Sequence, residues 1–350
     1  MSSVVPSYRS ICILRLSAIG DVCHAVASVQ AIQQYYPDAK ITWVIGQVEA
    51  MLIGDLPNVK FIIFNKKQGL AAYKKLRRDL PETFDVLLHM QVALRANLAA
   101  MVIKAKQKIG FNNALSKELH SLAVNKTIKP VVQPHVYDGF KAFTAAIGVP
   151  DFQPKWQIPI SQADKTWAAE QKSPDKPLFV IAAAASKAER NWLPERYAEL
   201  ADHAVKQGFN VILSGGPTTM ETSLATAIIK NCQVPVTNLV GQTTLKQLLA
   251  LLGEADLVLA PDTGPAHMAV TQQTPVIGLY AHSNPARTGP YLYLDYVVEV
   301  YHQMLQAQFA VSAAQAKWGK RVKGENLMQA ISVDRVIKMF DRVVQENNLK

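Results

Sequence analysis

From Ser10 onward, short apolar runs rich in branched side chains alternate with longer stretches whose apolar positions recur at helical spacing. ICILRL reads as a buried strand, DVCHAVASVQAIQQYY as an amphipathic helix, and ITWVIG, VKFIIF and FDVLLHM as three more strands. Strands alternating with helices predict parallel β-α-β units and hence a doubly wound sheet. A helix over Tyr137 to Ile147 closes this series. Between Val149 and Pro177 the prolines at 150, 154, 159, 174 and 177 interrupt every long element, which places a linker there.

The alternation then restarts. LFVIAAAA, NVILSGG, DLVLAPD and PVIGLYA read as strands, and the stretches Pro194 to Gln207, after Pro217, TLKQLLALLGEA and GPAHMAVTQQ read as helices. VDRVIKMFDRVVQ ends the series as an amphipathic helix. The expectation is an α/β protein of two domains, residues 1–165 and 176–332, with the last helix, 333–348, packing back on the first domain. Open sheets bind ligands at the carboxyl ends of their strands, so two lobes facing across a cleft would gather the chemistry on strand-end loops.

Length and composition fit this picture, since 350 residues exceed one ordinary core and a 49% hydrophobic, 18% charged chain can bury two. The first residues lack the basic and apolar segments of a secretory signal, and no apolar window of about 18 residues occurs, so the expected location is cytoplasmic. Three cysteines, Cys12, Cys23 and Cys232, offer neither a disulfide frame nor a zinc knuckle. Charge is less evenly spread. Residues 1–160 hold 19 Lys and Arg against 10 Asp and Glu, whereas residues 161–350 hold 18 against 17. A basic first half suits an anionic partner, whether nucleic acid, membrane surface or acidic substrate, or simply a soluble surface.

Candidate chemistry lies at the strand ends. In LRLSAIGDVCHAV, Gly20 precedes Asp21 at the start of a helix. That carboxylate can cap the helix or take a proton from an attacking hydroxyl. In ADLVLAPDTGPAHMAV a buried strand ends at Asp262, and Thr263, Gly264 and the next amides offer an anion site at a helix N-terminus, with His267 on the first turn. The same residues also read as caps and a packed histidine. Ser186, Lys187 and Arg190 in AAAASKAERNWLP can meet departing phosphate charge, and Glu221 can accept from ribose hydroxyls. Neither G-x-G-x-x-G nor G-x-x-x-x-G-K-[ST] occurs, which removes the main support for dinucleotide and P-loop enzymes. With no D-x-D triplet and no H-x-x-x-H pair, neither a metal nor a cofactor is expected.

In order and spacing, LRLSAIGDVCHAV, SKAERNWLP and APDTGPAH resemble the ADP-heptose:lipopolysaccharide heptosyltransferases, and the likeness covers nearly the whole chain. The resemblance implies a GT-B type fold of two Rossmann-like domains, the first taking a lipid-linked acceptor and the second the nucleotide sugar. It implies Asp21 as general base, with Gly20 and His24 in the same acceptor-side turn. Asp262, Thr263, Gly264 and His267 then surround the diphosphate and sugar, while Ser186 and Arg190 fall where the family has a hydroxyl and a lysine near the phosphates. The segments NPARTGPY, AKWGKRVKGENLMQAISVDRV and PHVYDGF look like the branch that adds the first heptose to Kdo, including phosphorylated Kdo.

The likeness further implies inverting, metal-independent transfer from ADP-heptose to a Kdo-lipid A type acceptor. The enzyme would touch the anionic inner face of the bacterial inner membrane reversibly. Arg95, Lys104, Lys106, Lys108 and Lys117 are then the candidate cations for the acceptor and its bilayer. Epimerase or hydrolase chemistry on the same two-lobed fold, or non-catalytic binding, are the alternatives, and nucleic acid is not an expected partner.

Overall fold

Apolar runs buried on both faces build one parallel sheet in each half of the computed structural model, which describes residues 7–116, 119–132 and 135–349. The chain divides into two units, Met1–Pro159 and Ile160–Lys350, the division falling inside the proline-rich stretch.

The first unit contains β1 (Ser10–Leu14), α1 (Ile19–Tyr35), β2 (Lys40–Gly46), α2 (Gln47–Ile53), β3 (Val59–Phe64), α3 (Leu70–Asp79), β4 (Phe84–His89), α4 (Leu94–Val102), β5 (Ala105–Gly110), α5 (His120–Ala123), β6 (Lys126–Thr127) and α6 (Val136–Ala146). Its strand order is β3-β2-β1-β4-β5-β6, with every pair parallel. Ile11 to Leu14 are wholly buried, as a parallel strand covered on both faces requires. Right-handed crossovers put α1 and α2 on one face and α3, α4 and α5 on the other. Accordingly α1 packs on α2 and α6, while α4 lies between α3 and α5. The order reverses between β1 and β4, and ligands of such sheets bind at the carboxyl ends beside that point.

Two of these strands go beyond the sequence expectation. In β5, AKQKIG, lysines alternate with smaller residues, and β6 has only two residues, so no apolar run marks either.

The second unit contains α7 (Gln162–Gln171), β7 (Leu178–Ile181), α8 (Pro194–Lys206), β8 (Asn210–Leu213), α9 (Thr219–Asn231), β9 (Thr237–Asn238), α10 (Leu245–Glu254), β10 (Leu257–Pro261), α11 (Gly264–Thr271), β11 (Val276–Tyr280), α12 (Pro285–Thr288), β12 (Val297–Glu299), α13 (Tyr301–Phe309) and α14 (Val333–Glu346). The order β12-β11-β10-β7-β8-β9, again all parallel, repeats that of the first unit strand for strand.

Helix α7, which falls inside the expected linker, packs on α10 of this unit. The expected return of the last helix to the first domain is corrected by its packing. Phe340 of α14 lies edge-on to Phe179 and Phe209 at 5.1 Å, and Val336, Val343 and Val344 join the same core. The chain leading into α14 is fastened here as well, because Trp192 Nε1 donates to the Ile331 carbonyl at 2.9 Å. The apolar stripe of α14 is thus satisfied within the second unit.

Candidate active site

At the carboxyl edge of the first sheet, β1 ends at Leu14 and the next residue, Arg15, was not among the expected site residues. Its guanidinium pairs with the Asp21 carboxylate through Nη2, donates to the Met90 carbonyl through Nη1 at 2.6 Å, and lies 5.3 Å from the Phe140 ring centre. A strand-end arginine beside a carboxylate is the signal that sequence reasoning could have used. Asp21 is the third residue of α1, and its Oδ2 accepts from the Ala18 amide at 3.2 Å. Both contacts fall on Oδ2, so Oδ1 has no partner among the described residues. One oxygen therefore caps the helix and the other is open to a substrate hydroxyl.

Glu49, at the start of α2, belongs to the same edge. Burial holds its carboxyl above the usual range, against the pull of Lys66 and Arg15. A side chain at Gly46 would collide with the Glu49 carboxylate and the Leu16 carbonyl, so glycine is what lets β2 close on the β1 loop.

The remaining acceptor candidates separate. Gly20 is buried in the first turn of α1, near Asp21. His24, one turn later, is buried edge-on to the His135 ring at 5.1 Å, where α1 packs on α6. Arg95 is exposed in the first turn of α4, directly after the β4 loop, and stays at the ligand edge.

Lys104 and Lys106 stand toward the opposite edge, and Lys108 is the fourth of the six residues of β5. The Lys104 carbonyl accepts from the amide of Phe84, the first residue of β4. Lys106 pairs with Asp85 at 2.8 Å. Lys108 donates to the Ala100 carbonyl at 2.8 Å, closing the carboxyl end of α4. Sheet direction sets Lys104 and Lys106 away from the ligand edge, and Lys108 is committed to the end of α4. Lys117 lies outside the described residues.

In the second unit the expected residues mostly converge. Asp262 follows β10, and its Oδ2 accepts from Ser283 Oγ at 2.6 Å, a hydroxyl supplied by the loop after β11. Thr263 is the N-cap of α11, yet its hydroxyl makes no capping bond, and Oγ1 is buried without a partner among the described residues. Ser214 Oγ, just past β8, is in the same condition, as is Arg190 Nε in the loop after β7. Burial and the neighbouring Arg321 pull the Arg190 guanidinium below its usual range, against the attraction of Asp262. Gly264 opens α11 with no side chain to cover its first amide, and His267 is buried one turn further.

His282 braces this edge, its two ring nitrogens lying 2.9 Å from the Glu189 carbonyl and 3.2 Å from that of Val322. Ser214, Ser283, His282 and Arg321 were not expected, although the strand-end rule that found Asp262 also reaches the ends of β8 and β11.

Ser186 and Lys187 are exposed in the loop after β7, with Lys187 3.7 Å from Glu189. The Glu221 carboxylate accepts from the Gly216 amide and, at 3.1 Å, from the Thr218 hydroxyl, which fixes it in the β8–α9 loop at the carboxyl edge of the sheet with acceptor capacity left on both oxygens. Beside Arg190 a pocket of about 340 Å³ is lined by Glu189, Asn191, Trp192, Met220 and Met328. No cluster of three His, Cys, Asp or Glu side chains suited to a metal ion occurs among the described residues. No helix among them is long and apolar enough to cross a membrane.

Buried polar atoms without partners are rare, because each forfeits a hydrogen bond without regaining water. Three of them at one strand edge, with a helix N-terminus and two arginines, make an anion-binding surface. The paired aspartate of the other unit is chemically different, being suited to accept a proton.

Comparison with known proteins identifies the family. Residues 73–318 match Glycosyltransferase family 9 (heptosyltransferase). The lipopolysaccharide core heptosyltransferase OpsX of Haemophilus influenzae is 46% identical over 96% of this chain and 97% of its own length. A glycosyl transferase family 9 structure from Veillonella parvula shares the fold with a TM-score of 0.80 at 20% identity, covering 98% of this chain and 99% of that one. Escherichia coli heptosyltransferase WaaC, solved with ADP, shares it with a TM-score of 0.72 at 18% identity, covering 95% and 99%. Two six-stranded parallel sheets in this order are the GT-B architecture of those enzymes.

Proposed function

The chain belongs to glycosyltransferase family 9, the heptosyltransferases, and from that premise we propose that it moves heptose from ADP-heptose to a Kdo or phospho-Kdo residue of the lipopolysaccharide inner core. Transfer inverts the anomeric carbon, uses no metal ion, and takes place at the cytoplasmic face of the inner membrane, where a lipid-linked acceptor lies. The observation that carries the donor half of this reading is the unpartnered set of Arg190 Nε, Ser214 Oγ and Thr263 Oγ1 at one strand edge. A diphosphate supplies the acceptor oxygens those groups lack. The likeness to a heptosyltransferase solved with ADP and to a lipopolysaccharide core enzyme supports the same donor and pathway.

In the transfer step, an acceptor hydroxyl attacks the anomeric carbon from the side opposite the diphosphate. The new C–O bond forms as the bond to the β-phosphate breaks, the hydroxyl proton passes to Asp21 Oδ1, and the electron pair leaves on ADP. Arg15 fixes the carboxylate through Oδ2 and so aims the free oxygen. The charge that grows on ADP is met by the N-terminus of α11, the Thr263 hydroxyl, Arg190 and Arg321. A single displacement needs one base and no enzyme nucleophile, which is why one positioned carboxylate accounts for inversion.

The direct test incubates the purified protein with ADP-heptose and either Kdo-lipid A or its phosphorylated form, and follows the lipid by mass spectrometry. Addition of one heptose to either acceptor is the expected result. Release of free heptose or an epimerised donor, with the lipid unchanged, would overturn the assignment.

A further inference from the structure

Most of the exposed large apolar side chains belong to the first unit: ten of thirteen among the described residues. They are not scattered. On α4 the solvent-facing positions Leu94, Leu98 and Met101 recur at four and three residues, 46%, 38% and 40% exposed, while Ala96, Asn97, Ala99 and Ala100 face the sheet. A helix that covers a sheet ordinarily turns polar residues outward, so a continuous apolar stripe on its outer face marks a contact surface.

The neighbouring helices of the layer extend it in two chemical senses. Leu122 of α5, 70% exposed, continues the apolar ground on one side. On the other side α3 carries Lys74, Lys75, Arg77 and Arg78. Counting Arg95, the three helices hold five cations and one acid, Asp79.

We infer that the outer face of α3, α4 and α5 docks on an anionic phospholipid bilayer, with the α4 stripe entering the headgroup boundary and the α3 cations meeting lipid phosphates. Apolar residues beside a basic helix are the signature of interfacial binding, whereas a protein partner of matching surface would need its own acidic strip. A second copy of this chain is a poorer occupant, because it would bring the same cations against one another. The geometry also gives the contact a use. Leu94 and Arg95 open α4 at the ligand edge of the sheet, so a bilayer lying along α4 ends where a membrane-anchored acceptor would emerge. The inference rests on the lipid-linked acceptor proposed above, yet its test does not depend on that acceptor.

The full chain would be sedimented with vesicles of phosphatidylglycerol mixed with phosphatidylcholine, and with phosphatidylcholine alone. Binding should require the anionic lipid and weaken as salt rises. Leu98→Glu/Met101→Glu should lower it about tenfold or more, and Lys74→Glu/Arg78→Glu, on a different helix, should lower it by a similar factor. Circular dichroism checks that each variant folds.

With a deacylated, water-soluble acceptor, the Leu98→Glu/Met101→Glu variant should keep wild-type turnover. With the acceptor embedded in anionic vesicles it should lose it. Vesicle binding that neither double substitution changes would overturn the docking surface. So would a stable dimer that Leu98→Glu/Met101→Glu dissolves. Failure of the wild type to glycosylate even the soluble acceptor would instead count against the proposed reaction and leave the vesicle result standing.

Discussion

The two units carry the same strand order, 3-2-1-4-5-6 counted from the first strand of each, but they finish the carboxyl edge of that sheet in opposite ways. In the first unit the central carboxylate is already paired: Arg15, whose own Nε is buried without a partner among the described residues, holds one oxygen of Asp21 and leaves the other open. In the second, hydroxyl and guanidinium atoms are buried and unpaired around the start of α11. A paired carboxylate is ready to move a proton, whereas unpaired donors await an anion. The units differ outside the edge as well, since the first exposes an apolar and basic helical layer and the second keeps most large apolar side chains covered. Under the proposed reaction, duplicated topology sets where ligands go, and the side chains at the strand ends set which ligand each unit takes.

The largest expected effects separate the two edges. Asp21→Asn should lower kcat by at least about 100-fold, the low end of general-base effects, while ADP-heptose binds as in the wild type. Arg190→Ala should lower kcat/KM by about 100-fold, as loss of one donor to developing charge does, and should weaken ADP binding measured by calorimetry. The contrast breaks if Asp21→Asn weakens the nucleotide as much as Arg190→Ala does.

This division of labour was only partly legible in the sequence. Strands with continuous apolar runs, such as ICIL and LVLAP, are evident because a sheet covered on both faces tolerates little else at its centre. Strands β5, β6, β9 and β12 lie toward the sheet margins, where short length or alternating lysines leave no such run. Asp21, Asp262 and Thr263 could be singled out as candidates because strand ends and helix starts are marked in the chain.

Spacing could not show which side of the sheet a lysine reaches or which neighbour it meets. Lys106 looked like an acceptor ligand only until β5 gave it a direction, and Lys108 until its ammonium turned out to close the end of α4. Nor could spacing show that the Gly216 amide lies against the Glu221 carboxylate and fixes its position. Arg15 and Ser283 required the converse information, since each matters through a carboxylate that is near in space.

A smaller effect tests how firmly the first edge is built. Beneath it, His89 of β4 and His120 of α5 share one acceptor, Asn97 Oδ1, at 2.8 and 2.9 Å, with their rings stacked at 4.6 Å. The Phe111 amide donates to His120 Nε2 at 2.9 Å, which assigns the ring proton to Nδ1 and makes both rings neutral donors to the amide oxygen. Burial pulls His89 down to about 3 and also lowers His120.

A base whose folded pKa is depressed binds fewer protons folded than unfolded, so its contribution to stability is intact above about pH 6.5 and is lost as pH falls toward about 3. From about pH 6.5 to about pH 5, His89 alone should cost the protein about 2 kcal/mol. Hydrogen exchange should show β4 and β5 amides losing protection before those of β7 and β10. His89→Leu should remove most of that pH dependence. Loss of protection in both sheets together would mean that acid acts on the whole chain and not on this joint.

The smallest expected effect concerns the edge that should do no chemistry. Asp85 is held down to about 2, chiefly by the hydrogen bond from Lys106 and further by the amides of Arg9 and Ser10. A carboxyl depressed in this way contributes stability that is present above about pH 4 and is lost as pH falls toward about 2. The Lys106 side chain is 70% exposed, however, so water screens the pair. Lys106→Ala should therefore cost less than about 1 kcal/mol in urea unfolding at neutral pH, with the Arg9 and Ser10 amides still holding Asp85 at 2.9 and 3.0 Å. Its KM for the acceptor should match the wild type, since β5 directs this side chain to the amino edge of the sheet. A several-fold rise in that KM with unchanged stability would return Lys106 to the acceptor site, and with it the acceptor role of the amino edge that strand direction rules out.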